Sequence, residues 1–475
     1  MNCELLQHQR EGVDFLASRE SGLLAFEQGL GKTLVAIETF CRFLQTGRAD
    51  RMLVVCPNSL KRNWLAEFGK FAPSMPIELA EGSPLERRTV FLKSHARVIV
   101  TSYETARAEI TALMAFLQRQ KTVLVLDESH AAKNRRSQTS NAVRLLAPHA
   151  AFRWLLSGTP VTNTAADLHT QVEIIAPNQH LLGSLESFNA QMKRDPEVKF
   201  AKDILEPLIL RRTKEQCLDL PKKSFIDIKI DLPSWQRRLY DDMRDRMICE
   251  IRSMSGEQYC ASAPTILSKI TRLMQIACNP AIVPSFPEID KTPAKFEELD
   301  NIIENILSVP GRKLILWSNY IKSIEMLLER FSGSVAIYGK ISTSERHKIA
   351  EQFQNNPDVR VLIANPAAAG SGFTLTAANF TIYESLSWRY DHYAQSQDRN
   401  HRIGQEKPVT YMRLLATDTI EEAVISALER KSVLAHCLLG DKMPGNSILH
   451  LTKEEMCEFL ETNQFPFLST RVGNS

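Results

Sequence analysis

Short apolar runs recur along the chain, and between them the apolar positions fall at helical spacing. In the first half the runs at 52–56, 98–101, 123–126 and 154–156 are continuous in Val, Leu and Ile rather than alternating. That is the pattern of strands covered on both faces in a parallel sheet. A second series, at 313–317, 335–338, 361–364, 380–383 and 410–414, repeats it. Two such series separated by a long intermediate region predict an α/β chain of two parallel-sheet lobes. Between 167 and 307 the pattern is mainly helical and is broken by Pro221, Pro264, Pro280, Pro284, Pro287 and Pro293. The spacing therefore predicts lobe one over 1–231, with a helical protrusion at about 165–207. Lobe two follows over 232–440, with a protrusion at about 233–290. A tail at 441–475 holds one amphipathic helix, 452–462, and a polar end expected to fray.

Composition changes this picture little. The 475 residues are 44% apolar and 24% charged, and 58 basic residues stand against 55 acidic ones, a net charge of +3. A nucleic-acid surface would have to come from the arrangement of charges, since the total announces none. The stretch 361–383 has no charged residue, but Asn365, Pro366, Gly370, Ser371, Gly372, Thr374, Thr376 and Asn379 interrupt it, so a membrane span is rejected. The start shows no basic region followed by an apolar run, and the nine cysteines form no Cys-x-x-Cys pair. The expectation is a protein of the reducing cytosol without a zinc or thiol-redox site.

Chemistry enters with EQGLGKT, made of Glu27, Gln28, Gly29, Leu30, Gly31, Lys32 and Thr33, which leads into a helical stretch. Gly29 and Gly31 let backbone N–H groups approach phosphate oxygens, and the helix N-terminus adds its positive dipole end. Lys32 is positioned by this pattern to reach the β- and γ-phosphates of ATP, and Thr33 to place its hydroxyl on Mg²⁺. The strict loop pattern wants a glycine where Phe26 stands, so the fragment alone also fits an incidental glycine turn. VLVLDESH, at 123–130, is a buried strand ending in Asp127 and Glu128. An Asp at such a strand end holds Mg²⁺ in phosphate-loop ATPases, and the next acid can polarise the attacking water. By itself the acidic pair could equally cap the next helix. SGTPVTN follows another apolar run; Ser157 and Thr159 could relay nucleotide state, or simply form a tight turn. In QSQDRNHRIGQ, Arg399 and Arg402 lie three apart, on one face if helical. Guanidinium groups there could meet charge developing on a γ-phosphate, and a solvated basic helix is the plainer alternative.

Taken together, these strings resemble the Swi/Snf-type branch of superfamily-two helicase-like ATPases, in order from about residue 6 to residue 422. LLQHQREGVDFL resembles the adenine-recognition segment and would place Gln9 against the base. VVCPNSL, VTSYET, DESH with Lys133-Asn134, LILRRTK, LMQIACNP and ANPAAAGSGFTLTAAN are similar to successive motifs of that branch. The resemblance implies ATP bound between two RecA-like lobes. Arg399 and Arg402 would be arginine fingers, Gln395 and Asp398 would line the cleft, and Gly372 would touch nucleotide. His130, Ser157, Thr159 and Asp398 would couple the nucleotide to motion. Phe26 and SLSWR depart from the family pattern, and Ser129 and Ser157 pull the match toward the annealing, fork-remodelling subgroup.

The resemblance implies a translocase on double-stranded DNA whose grip is aimed at the backbone, because a motor must not read sequence. Candidate contacts are Asn58, Ser59, Lys61, Arg62, Thr101 and Ser102, with Asn365, Ser371 and Trp388 in lobe two. Lys61-Arg62 and Arg135-Arg136 fit an exposed basic face as well, and a tryptophan fits a core as well as a stacking platform. Rival readings are a strand-separating DNA or RNA helicase, a nucleotide-gated clamp with little turnover and, last, a metabolic phosphate-loop kinase. The compact size points to a bacterial or viral cytosolic protein, nuclear if eukaryotic, or to the engine of a larger complex that supplies targeting.

Overall fold

The computed structural model describes residues 4–463 except 20, 133, 136, 159–165, 195–203, 285, 287–288, 369–372 and 438–451. Thr159, Gly372, Lys133, Arg136 and Ser371 lie outside the described residues. The chain divides into two compact units, with the break in this part of the chain between Leu220 and Pro221.

The first unit is built on a seven-stranded sheet in the order β3-β4-β2-β5-β6-β1-β7. Its strands are β1 (Ser21–Phe26), β2 (Arg51–Cys56), β3 (Ile77–Leu79), β4 (Val98–Ser102), β5 (Thr122–Asp127), β6 (Phe152–Leu156) and β7 (Ile209–Arg212). Each pairing in it is parallel. The four apolar runs form β2, β4, β5 and β6, and β5 is buried along its whole length. That is the expected consequence of covering both faces with helices. Helices α1 (Gln7–Ser18), α2 (Lys32–Gln45) and α3 (Lys61–Phe71) supply one cover. Beyond β6 the helices Ala166–Ile175 and Leu185–Arg194 bury Leu168, Val172, Leu182, Phe188 and Leu205 in a small separate cluster.

The second unit carries six parallel strands in the order β10-β11-β9-β12-β13-β8. They are β8 (Lys223–Ile230), β9 (Leu314–Trp317), β10 (Val335–Ile337), β11 (Val361–Ala364), β12 (Phe380–Tyr383) and β13 (Val409–Ala416). Two parallel sheets flanked by helices give the two RecA-like lobes that the hydrophobic pattern and the motifs anticipate. The break falls earlier than 231/232 for a physical reason: β8 pairs with β13 along its full length, Lys223 opposite Val409 through Ile230 opposite Ala416. Those ladder hydrogen bonds commit it to the second sheet.

The helices Ser234–Ser253, Ala263–Cys278 and Ala294–Leu307 are stitched together by one buried amide. Gln236 Nε2 donates to the carbonyls of Ile276 (2.8 Å) and Ala277 (3.3 Å), while its Oε1 accepts from Ala294 N–H at 3.2 Å. Nor is 441–475 simply a tail. Helix Lys453–Thr462, capped by Thr452 and Glu455, buries Met456, Cys457, Phe459 and Leu460 in the second core. Lys453 Nζ also donates to Met254 O at 2.6 Å, at the end of helix Ser234–Ser253. Among the described residues no helix is long and apolar enough to cross a membrane.

Candidate nucleotide site

The parallel sheet of the first unit brings three motifs to one edge, because β5, β6 and β1 are successive neighbours. The phosphate loop follows β1, the acidic pair ends β5, and Ser157 follows β6 between them. The carboxyl ends of parallel strands are where α/β sheets bind ligands.

Gly29 and Gly31 adopt φ of 88° and 80°, conformations open to glycine at little cost. Gly31 is the N-cap of α2, so the free N–H groups of the first helical turn face the loop. A Cβ at Gly31 would stand 2.5 Å from Gln9 Nε2, so α1 lies directly on the loop. His8 Nε2 lies 3.0 Å from Leu30 O, and Gln9 Nε2 donates to the same oxygen at 3.4 Å. Lys32 is buried, its Nζ donating to Phe26 O at 2.8 Å and Glu27 O at 3.4 Å. An ammonium held by loop carbonyls is already where a phosphate could exchange for them. Thr33, the next residue, is half-buried at the same helix start. Glu27 turns away: its carboxylate accepts from Lys214 N–H at 2.9 Å, at the start of the short helix Lys214–Cys217.

Asp127 is buried at the end of β5, its Oδ2 accepting from Trp64 Nε1 at 2.8 Å and its Oδ1 from Glu128 N–H at 2.9 Å. Burial, then the neighbouring Glu128 charge, push its carboxyl up to about 6, against the pull of the Trp64 hydrogen bond and Lys32. Tyr103 donates its hydroxyl to Asp127 O at 2.9 Å. Glu128 has φ of 49°, a left-handed backbone rare outside glycine. A polar chain then crosses the strand ends. Gln28 Nε2 donates to Glu128 Oε1 at 3.4 Å, and His130 Nδ1 lies 3.2 Å from Glu128 Oε2 and 3.5 Å from Ser157 Oγ. Ser129 adds a buried bond to Gln171 Oε1 at 3.0 Å. Of these further residues at the site, Tyr103 falls inside VTSYET and Trp64 lies four positions beyond VVCPNSL, whereas Gln171 has no local signal.

In the second unit the glutamine- and arginine-rich string is only partly helical, since its helix, Tyr390–Gln397, ends before Arg399. The three-residue spacing of Arg399 and Arg402 thus falls on turns rather than on a helix face. Arg399 is buried and its carbonyl accepts from Leu375 N–H at 2.9 Å; Arg402 is half-buried, with Nη1 3.4 Å from Phe373 O. Gln405 Nε2 donates to the carbonyls of Thr376, Ala378 and Asn400 at 3.0–3.1 Å, locking the string to the segment after 372. Gln395 is buried on the helix, and Asp398 is half-buried at its end.

The candidate grip residues divide. Asn58 and Arg62 are exposed and Ser59 is half-buried, whereas Lys61 is buried in an ion pair with Glu81 at 2.8 Å. Thr101 is wholly buried, and the Ser102 hydroxyl is used in capping the helix Tyr103–Ala108. Strand β4 lies inside the sheet between β2 and β3, so neither hydroxyl presents a surface. Asn365 is also consumed, its Nδ2 donating to Ser318 O and Asn319 O at 3.2 Å. Trp388 packs against the second core, and Arg135 pairs with Glu173.

Residues 8–282 match the family described as SNF2-related domain, and 294–404 match the Helicase conserved C-terminal domain. The chain is 31% identical over 96% of its length to an uncharacterized ATP-dependent helicase of Mycoplasma pneumoniae. It is 25% identical, again over 96%, to the human lymphoid-specific helicase. It spans about half the length of the curated relatives it matches, 44% of the first and 66% of the second. The SWI2/SNF2 ATPase core of Sulfolobus solfataricus, solved in complex with double-stranded DNA, is similar at 27% identity. That likeness covers 93% of this chain and 94% of that one, with a TM-score of 0.44. With its first unit matched across the phosphate loop and acidic strand and its second across the arginine string, the chain belongs to the SNF2-related family of helicase-like ATPases.

Proposed function

We propose that this chain hydrolyses ATP in response to nucleic acid and uses the energy to move along, or remodel, double-stranded DNA. The observation that supports this best is the polar chain Gln28–Glu128–His130–Ser157, which joins phosphate loop, acidic strand and the following strand end. A clamp that merely bound nucleotide would have no use for an acid held between two partners beside a phosphate loop. Lys32 binds the β- and γ-phosphates, Glu128 polarises the attacking water, and Gln9 meets the adenine. Arg399 and Arg402 are the guanidinium groups that act on the transferring phosphoryl group, with Gln395 and Asp398 as their companions.

Mg²⁺ fits the residues present. Among the described residues no three His, Cys, Asp or Glu side chains could hold a metal. Mg²⁺ keeps several waters and takes one or two carboxylates plus substrate phosphates. Asp127, desolvated and pushed up beside Glu128, is the carboxylate a divalent cation would relieve, and Thr33 supplies the hydroxyl. Asn58 and Arg62, both exposed, and the half-buried Ser59 are the first-lobe groups offered to the DNA backbone.

The test compares ATP hydrolysis with duplex DNA, single-stranded DNA and RNA, followed by displacement of a triplex-forming strand. Duplex stimulation with ATP-dependent displacement is expected. Lys32→Ala should lower turnover by about 100-fold or more, since a preorganised phosphate contact is lost. A preference for RNA, or strand separation without triplex displacement, would replace the translocase reading with a helicase.

A further inference from the structure

Three strings far apart in the chain meet in a closed triangle in the first unit, and one residue sits at its corner. Arg212, the last residue of β7, stands in register with Phe26, the last residue of β1. Its carbonyl accepts from Glu27 N–H at 3.0 Å, fixing the first residue of the phosphate loop. Its guanidinium reaches the other way. Nε and Nη2 both donate to Glu11 Oε2, at 2.9 and 2.6 Å, on the helix α1 that carries Gln9. The Arg212 contact also holds the Glu11 carboxyl below the usual carboxylate range. Helix α1 and the loop close the third side through His8, Gln9 and Leu30 O, and Gly12 packs so tightly that a Cβ there would lie 3.0 Å from the Phe26 ring. Glu27 adds a fourth tie, through Lys214 N–H.

We propose that Arg212 and Glu11 are positioning residues for the nucleotide. By holding α1 at a set distance from the phosphate loop, they let Gln9 meet the base while Lys32 holds the phosphates. This rests on the ATPase reading above. Neither side chain is part of the loop or reaches the reacting atoms. What the pair controls is the spacing between base recognition and phosphate recognition, and therefore both nucleotide affinity and the preference for adenine.

The test is a charge swap. Arg212→Glu and Glu11→Arg should each raise KM for ATP about threefold to fivefold while kcat at saturating ATP stays within about twofold. Each should narrow the preference for ATP over GTP, and Glu11→Arg combined with Arg212→Glu should restore both quantities. A general weakening of the fold would not be repaired by reversing the pair. Should a single variant fail to fold, Arg212→Lys, which keeps the charge but loses the two-pronged contact, gives the same readout. Unchanged KM and base preference in folded single variants would overturn the proposal, as would a swap that restores neither. Equilibrium titration with a fluorescent ATP analogue reads the clamp without turnover, so a wild-type protein that binds ATP but does not hydrolyse it would count against the ATPase reading alone.

Discussion

Each lobe ends a central strand with a buried acid, and the two acids live differently. Asp127 closes β5, and Glu384 directly follows β12; burial raises the carboxyl of both above the usual range. Around Glu384 the protein supplies its own compensation. The Ser323 hydroxyl donates to Oε1, Ser318 and Lys295 help pull the carboxyl down, and Lys295 Nζ donates to Glu384 O, Leu414 O and Glu421 Oε1 at 2.7–2.8 Å. Around Asp127 the donors are the neutral N–H groups of Trp64 and Glu128, the stronger charge effect comes from another carboxylate, Glu128, and Lys32 is engaged with loop carbonyls. A parallel sheet thus offers the same position twice. A structural acid is neutralised from within, while a functional one is left costly until a ligand arrives.

The sharpest way to break this contrast is to neutralise each acid. Asp127→Asn should lower kcat for ATP by about 100-fold or more, whereas Glu384→Gln should leave it within about threefold. Comparable losses measured by phosphate release would mean the second acid is part of the chemistry. Stability provides the next test. Between pH 4 and pH 6 the unfolded chain has lost the Asp127 proton, while the folded protein, with its carboxyl at about 6, still holds it. The folded state binds more protons in that window, so this group's contribution falls as pH rises through it and is flat above. Denaturant unfolding across pH should show that fall in the wild type and lose it in Asp127→Asn. The smallest effect is at Thr101, whose buried hydroxyl has no hydrogen-bond partner among the described residues. Thr101→Val should raise stability by about 1 kcal/mol and leave DNA-stimulated ATPase unchanged. A loss of stimulation would show that strand β4 opens to nucleic acid after all.

Much of this was legible from residue pattern. The continuous apolar runs are β2, β4, β5, β6 and β9 to β13, because a two-sided buried strand cannot be written otherwise. Strand β8 was not, since it lies at the sheet edge with most of its side chains exposed and shows no such run. That single strand moves the boundary between the lobes. Locally contiguous groups, such as Lys32 beside its glycines or Asp127 at its strand end, were readable. The contacts that tune them were not: Trp64 and Asp127 are 63 positions apart, and Arg212 and Glu11 are 201 apart. Residue type also misleads where burial decides. Thr101, Ser102 and Asn365 look like phosphate contacts, yet they are spent inside the sheet, at a helix cap and across a loop.

The amide of Gln236 sits near the foot of a 20-residue helix, about 30 Å long at 1.5 Å per residue. Four residues on, Tyr240 fixes the same foot by accepting from Ile420 N–H at 2.8 Å. Such a rod is held at its foot by four hydrogen bonds, and a tilt of about 10° there would sweep its tip through about 5 Å. Because helix Lys453–Thr462 is lashed to the distal end, that excursion would carry a paired strut rather than a lone whisker.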